Sequence, residues 1–142
     1  RLSALRNNLE RCGVTNTILY SKNAEYVSDL GLKFDKVLLD APCSGNFTLE
    51  EDWFSKRTIE DIKQNARVQR NLLREAIKVT KDNGKILYST CSLEKEEDEE
   101  ILDWVQKEYP DITIEYSEKF WPQELNTQGF FIAKLRVGER KE

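Results

Sequence analysis

Two cysteines and one aspartate stand where they could do covalent chemistry. Asp40-Ala41-Pro42-Cys43-Ser44-Gly45 follows the apolar run Val37-Leu38-Leu39, and Ser89-Thr90-Cys91-Ser92 follows Ile86-Leu87-Tyr88. Short apolar, β-branched runs bounded by turn formers read as buried strands. Each thiol then sits just past the C-terminal end of a strand. In open α/β sheets the crevice beyond the strand ends is where ligands bind. Two thiols and a carboxylate at neighbouring strand ends suit a covalent mechanism with a cysteine nucleophile, because the thiolate is intrinsically reactive even when sparsely populated at neutral pH.

The elements that must position these groups alternate along the chain. A helix over residues 1–12 places Leu2, Leu5, Leu9 and Cys12 on one face, with Gly13 as its stop and Cys12 packing as a small apolar residue. Residues 17–20 read as a short strand and residues 26–32 as a weak helical turn. Lys36 to Asp40 reads as a strand buried on both faces, followed by a long loop over 45–57. A long helix spans 58–81, capped near Ser55 or Thr58. The turn Asp82-Asn83-Gly84 leads to a strand over 85–90. Ser92 caps a helix over 94–108 whose first turn carries Glu94, Glu96, Glu97 and Asp98. Pro110 ends it, and residues 112–115 and 130–135 are the last strands. Such alternation predicts an α/β fold with a mostly parallel sheet and helices on both faces.

Composition narrows the chemistry further. With 142 residues the chain makes one domain, 39% hydrophobic and 34% charged. No stretch approaches the roughly 20 apolar residues of a membrane span, so no membrane partner is expected. There is no histidine, which removes histidine triads, histidine metal sites and histidine acid–base steps. The three cysteines form no Cys-x-x-Cys pair, so no zinc or other metal site is expected, and the setting is reducing and intracellular. A net charge of −4 offers nucleic acid no global attraction. The long helix supplies the local exception. Lys63, Arg67, Arg70, Arg74, Lys78 and Lys81 recur at three- and four-residue steps and share a face, beside an apolar stripe of Ile62, Ala66, Gln69, Leu73 and Ile77. That face reads either as a solvated surface with i, i+4 partners or as a phosphate-contacting ridge.

Taken together, Asp-Ala-Pro-Cys-Ser-Gly after one strand and Tyr-Ser-Thr-Cys-Ser after the next resemble the Sun/nucleolar-protein family of RNA (cytosine-5) methyltransferases. Gln69 with Leu72-Leu73, the Asn83-Gly84 turn, the acidic run after Leu93 and the closing Gly129-Phe130-Phe131-Ile132-Ala133 resemble the same family. The resemblance implies a Rossmann-like class I methyltransferase sheet, mostly parallel with an antiparallel last strand. It implies S-adenosyl-L-methionine as methyl donor and ribosomal or transfer RNA as substrate, in the cytoplasm or, in a eukaryote, the nucleolus. By motif position Cys91 resembles the nucleophile that adds to cytosine C6. Cys43 resembles the cysteine that assists release, and Asp40 the carboxylate that bonds the cytosine edge and lies beside the cofactor. Asn23 falls where the family usually has an aspartate facing the adenine. Pro42, Ser44 and the basic residues Lys63, Arg67, Arg70 and Arg74 fall to the RNA. Asp98 replaces the usual asparagine of the acidic run, and Gln123 holds a position often basic.

The family's glycine-rich cofactor loop and ribose-binding acid have no counterpart among these residues. The resemblance therefore implies a partial catalytic domain over residues 1–142, lacking its first two strands and inactive alone. The strand from Lys36 to Asp40 would then have an apolar, unpaired edge, a liability for association. Self-association, a partner chain or the 17–20 segment is expected to cover it. Two rivals remain. A non-catalytic module of the same fold could bind RNA or protein without turnover. DNA cytosine methyltransferases place their nucleophile at the position of Cys43 and lack a second thiol like Cys91.

Overall fold

The computed structural model describes residues 2–139; Arg1 and residues 140–142 of the expected domain lie outside them. The chain runs through α1 (Leu2–Arg11), a 3-10 helix (Ala24–Leu30), β1 (Phe34–Asp40), α2 (Trp53–Lys56), α3 (Ile59–Val79), β2 (Thr80–Thr90), α4 (Glu99–Glu108), β3 (Ile112–Phe120), α5 (Pro122–Leu125) and β4 (Phe130–Val137). The four strands form one sheet in the order β1-β2-β4-β3. β1 pairs parallel with β2, and β4 is inserted antiparallel to both β2 and β3. Three strands thus run one way and the last strand the other, as expected.

α3 is the crossover that parallel pairing of β1 and β2 requires. It starts on a capping box: Thr58 Oγ1 accepts from Asp61 N at 3.2 Å, and the Asp61 carboxylate accepts from Thr58 N at 2.9 Å. Its buried positions, among them Ile62, Ala66, Gln69, Leu73, Ala76 and Ile77, recur at helical spacing. The helix runs into β2 without a loop, and the sharp turn falls inside the strand's span. There Asn83 has φ 61°, and a Cβ on Gly84 would lie 2.6 Å from Thr80 Cγ2, so only glycine fits. The core joins Leu73, Ile86, Tyr88, Ile101, Val105, Ala133, Leu135 and Val137, with no exposed surface on any of them.

Several expectations change. α3 and α4 lie on the same face of the sheet, where Arg74 sits 5.0 Å over the Trp104 ring. The opposite face carries Lys85, Lys134 and Arg136 paired around Glu115, so no described helix covers it. β1 is not buried on both faces. It is an edge strand, and Leu38 is 68% exposed while Val37 and Leu39 pack on the core. Residues 17–20 join no strand, and Ile18 is 77% exposed, so that segment does not cover the edge. α1 has no buried residue and Cys12 is exposed, so the expected packing of its apolar face is not made. The loop after Cys43 contains the short helix α2. α4 begins at Glu99 rather than 94, because Glu97 and Asp98 turn their side chains inward and Asp98 leaves helical geometry with ψ −92°.

The two leucine environments can be compared directly. Leu73→Ala should cost about 3 kcal/mol in urea unfolding, as for a fully buried leucine, whereas Leu38→Ala should change stability by less than about 0.5 kcal/mol. Equal losses would contradict the assignment of β1's outward face.

Candidate active site

Parallel pairing of β1 with β2 brings the two cysteine loops side by side. Asp40 is in register with Ser89. Ala41 N donates to Ser89 O at 2.9 Å, and Ser89 Oγ donates to the Asp40 carboxylate at 3.0 Å. A few residues on, Ser44 Oγ and Ser92 Oγ stand 3.4 Å apart. Cys43 and Cys91 lie between these cross-links, both half-buried, and close enough for the ionisation of each thiol to depend on the other.

That contact sets the proton balance. The hydrogen bond from Cys43 lowers Cys91 to about 7, outweighing partial burial and the nearby Asp40 and Glu97 carboxylates, which oppose a thiolate. Cys43 moves the opposite way, held up first by that same bond and then by burial. The two thiols titrate as a coupled pair, with Cys91 the one that ionises more readily.

A buried carboxylate braces the arrangement. Glu97 has no exposed surface. It accepts from Ser44 N at 3.1 Å, from Gln69 Nε2 at 2.6 Å and from Ser92 Oγ at 3.3 Å, while its carbonyl accepts from the Tyr88 hydroxyl at 2.7 Å. Gln69 also donates to Pro42 O at 2.9 Å. Asn46 donates to Cys91 O at 2.7 Å, and Trp53 Nε1 and Arg57 Nε both donate to Ser44 O, at 2.8 and 2.9 Å. Gly45, at φ 74°, lets the chain turn between them. Next to the site, Asp98 accepts from Thr90 Oγ1 at 2.7 Å, and its second oxygen lies 3.0 Å from Lys119 Nζ without full hydrogen-bond alignment.

The structure brings Asp40, Pro42, Cys43, Ser44 and Cys91 together, with Asp40 and Pro42 exposed at the strand end. Ser44, assigned to substrate by resemblance, is 1% exposed and serves the loop packing. Asn23 caps the 3-10 helix, accepting from Glu25 N at 3.1 Å and donating to Glu25 Oε2 at 3.3 Å. The basic face of α3 divides. Lys63 and Arg67 are exposed, with Arg67 3.6 Å from Glu60. Arg70 is half-buried, and Arg74 bonds Asn71 at 3.0 Å and stacks on Trp104. Lys78 is bound to buried Glu75 at 2.7 Å. Glu97, Asn46 and Trp53 were not singled out from the sequence. Gln69 carried a signal of its own, a polar residue inside an apolar stripe, which must find partners when buried.

The model of the family described as 16S rRNA methyltransferase RsmB/F matches residues 1–136. The chain belongs to that family. It is 37% identical to the tRNA (cytosine(72)-C(5))-methyltransferase of Pyrococcus horikoshii over 96% of its own length and 38% of that protein's. It is 33% identical to the ribosomal RNA small subunit methyltransferase F of Pectobacterium atrosepticum, again over 96% of this chain but 32% of the relative. The crystal structure of NSun6 from P. horikoshii with SFG superposes with a TM-score of 0.88 at 35% identity, covering 99% of this chain and 39% of that one. The RsmB/F chain thus spans about a third of the length of the curated relatives it matches.

The acid beside the site gives a pH test. Burial lifts Asp98 to about 7, outweighing Thr90 and Lys119. A carboxyl whose folded pKa is raised holds its proton more tightly folded than unfolded. Its ionisation therefore lowers stability as pH rises from about 4 to about 7. Asp98→Asn cannot ionise, so its Tm relative to wild type should be more favourable at pH 8 than at pH 4. A flat or reversed difference would show that the Lys119 pair outweighs burial.

Proposed function

We propose that residues 1–142 are the C-terminal part of the catalytic domain of an RNA (cytosine-5) methyltransferase acting on ribosomal or transfer RNA in the cytoplasm. The observation that carries this reading is the pair of thiols at adjacent parallel strand ends, Cys43 and Cys91, beside the Asp40 carboxylate. Two coupled thiols at one strand end favour covalent catalysis over a non-catalytic module, and the presence of Cys91 as a second thiol counts against the DNA-enzyme arrangement.

Cytosine C5 is a poor nucleophile until a thiolate adds to C6. In the proposed reaction the Cys91 sulfur bonds to C6 and the electrons of the C5–C6 double bond become available at C5. In this reading Asp40 bonds the cytosine edge at N3, as the resemblance implies. S-Adenosyl-L-methionine, when bound, supplies the methyl group that C5 takes. Cys43 first gives its own proton to solvent and then, as a thiolate, takes the C5 proton, and the C6–S bond breaks to return the Cys91 thiolate. The coupled titration supports this order. While Cys91 is anionic it holds the proton on Cys43; once its sulfur is bonded to carbon, the main cause raising Cys43 is gone and Cys43 can ionise.

For the methyl donor, the residues here fit the reacting end: Asp40 is exposed beside the thiols. They supply little beyond it. Asn23 is engaged with Glu25, and the six glycines are scattered along the chain. The phosphate reading of the α3 ridge rests on Lys63 and Arg67, with Arg70 and Arg74 partly occupied within the fold. Phe47 and Phe54, exposed and stacked at 5.7 Å in the loop after Cys43, offer a face suited to unpaired bases. Beneath α3 an apolar groove lined by Val27, Phe34, Val37, Leu39, Leu72 and Ala76 adjoins the unpaired β1 edge, where a second copy or a partner chain would pair.

Two outcomes test this. The chain by itself should bind S-adenosyl-L-methionine weakly or not at all; micromolar affinity in isothermal titration would contradict the partial-domain reading. In the full-length protein, Cys91→Ala should abolish methylation and any covalent adduct with tRNA or 16S rRNA transcripts. Cys43→Ala should instead accumulate a denaturation-resistant protein–RNA complex on gels, because blocking release traps the intermediate. Adduct with Cys91→Ala but not with Cys43→Ala would reverse the two roles.

A further inference from the structure

Glu97 touches neither cysteine, yet it binds the residue that follows each of them. Ser44 N, just after Cys43, donates to it at 3.1 Å, and Ser92 Oγ, just after Cys91, donates at 3.3 Å. Gln69 Nε2 donates from α3 to Oε2, the oxygen Ser44 N reaches, at 2.6 Å and also to Pro42 O, just before Cys43, at 2.9 Å, while Ser92 Oγ takes Oε1. Cys43 is thus bracketed on both sides by one side-chain pair, and Cys91 is held from the same carboxylate.

A second anion is the wrong neighbour for a thiolate on charge alone, and Glu97 does oppose ionisation of Cys91. Asp40 opposes it too, and Glu94, Asp98 and Tyr88 stand around the same loops. What the carboxylate contributes is geometric. A hydrogen bond between two sulfurs is weak and is lost with small displacements, so it persists only where both loops are fixed to a common point.

We infer that Glu97 is a positioning residue for the thiol pair, holding the Cys43 and Cys91 loops side by side by gripping the residue that follows each cysteine. This rests on the reading of Cys91 as the attacking thiol, and it names the group that keeps that thiol poised. The carboxylate is suited to the task because three donors converge on it from different elements, and only an acceptor with several lone pairs serves them all.

Alkylation of Cys91 by iodoacetamide, followed against pH with the site read by mass spectrometry, tests the inference without RNA or methyl donor. Glu97→Ala should raise the midpoint by about one pH unit and slow alkylation about tenfold at pH 7. Glu97→Gln keeps the shape. Its carbonyl oxygen can accept from Gln69 and Ser44 and its amide can donate to Ser92 Oγ, so it should restore the rate to within about twofold of wild type. A folded Glu97→Ala protein with the wild-type midpoint would overturn the inference, as would Glu97→Gln behaving like Glu97→Ala. If circular dichroism shows Glu97→Ala unfolded, Ser92→Ala takes its place. It removes the Glu97 grip on the Cys91 side, together with the Ser92 Oγ contacts to Ser44 Oγ and Glu94 N, and it should shift the midpoint the same way; an unshifted midpoint overturns the inference. A wild-type midpoint near the ordinary thiol value of about 8.5 would overturn both this inference and the poised-nucleophile reading. A low wild-type midpoint with unchanged variants would overturn the positioning role alone.

Discussion

One carboxylate with no exposed surface ties the two cysteine loops to each other and to the crossover helix. Glu97 receives hydrogen from Ser44, Gln69 and Ser92, and no other side chain of the site reaches all three segments. Burying such a group is costly unless its acceptors are served. Here they are, and the saturation explains the local architecture around it. Ser44 is buried because its backbone N–H must face inward. Gln69 occupies a position in an apolar stripe because its amide has two acceptors to reach. α4 starts late because the chain spends the preceding turn aiming Glu97 and Asp98 at the interior.

Around that brace the site works with little positive charge. The thiol pair has no histidine to borrow from, and the carboxylates nearest it, Asp40 and Glu97, disfavour an anion. The Cys91 thiolate is therefore supported by a neighbour's proton rather than by a cation. A pair coupled in this way suits the proposed addition followed by elimination, because the second thiol ionises more readily once the first is bonded to carbon.

Much of this was readable from residue order alone. The cysteines were placed correctly because each motif combines an apolar run with turn formers, and both signals are local. The cap of α3 and the Asn83-Gly84 turn were readable for the same reason. What depended on neighbours in space was not. The apolar run of β1 looks the same whether one face or two are covered, so from the sequence Leu38 reads as buried. The acidic run before α4 looks like a solvated helix start, and nothing local marks Glu97 as the residue that turns inward. The thiol contact itself requires that β1 and β2 be adjacent and in register, which a motif cannot state. Ser44 and Asn23 sit at the positions the resemblance gave them, but the fold has employed both in holding its own chain.

The two halves of the site are far apart along the chain, with Ser44 and Ser92 separated by 48 positions and Ser44 and Glu97 by 53. No local segment can bring them together. The α3 crossover must form, and β1 must dock in parallel, before either cysteine meets its partner. Pairings of this kind are late and slow in folding, since loop closure has to precede the contacts that reward it. A nascent or partly opened chain consequently carries two ordinary thiols, and their influence on each other begins only once β1 and β2 are paired.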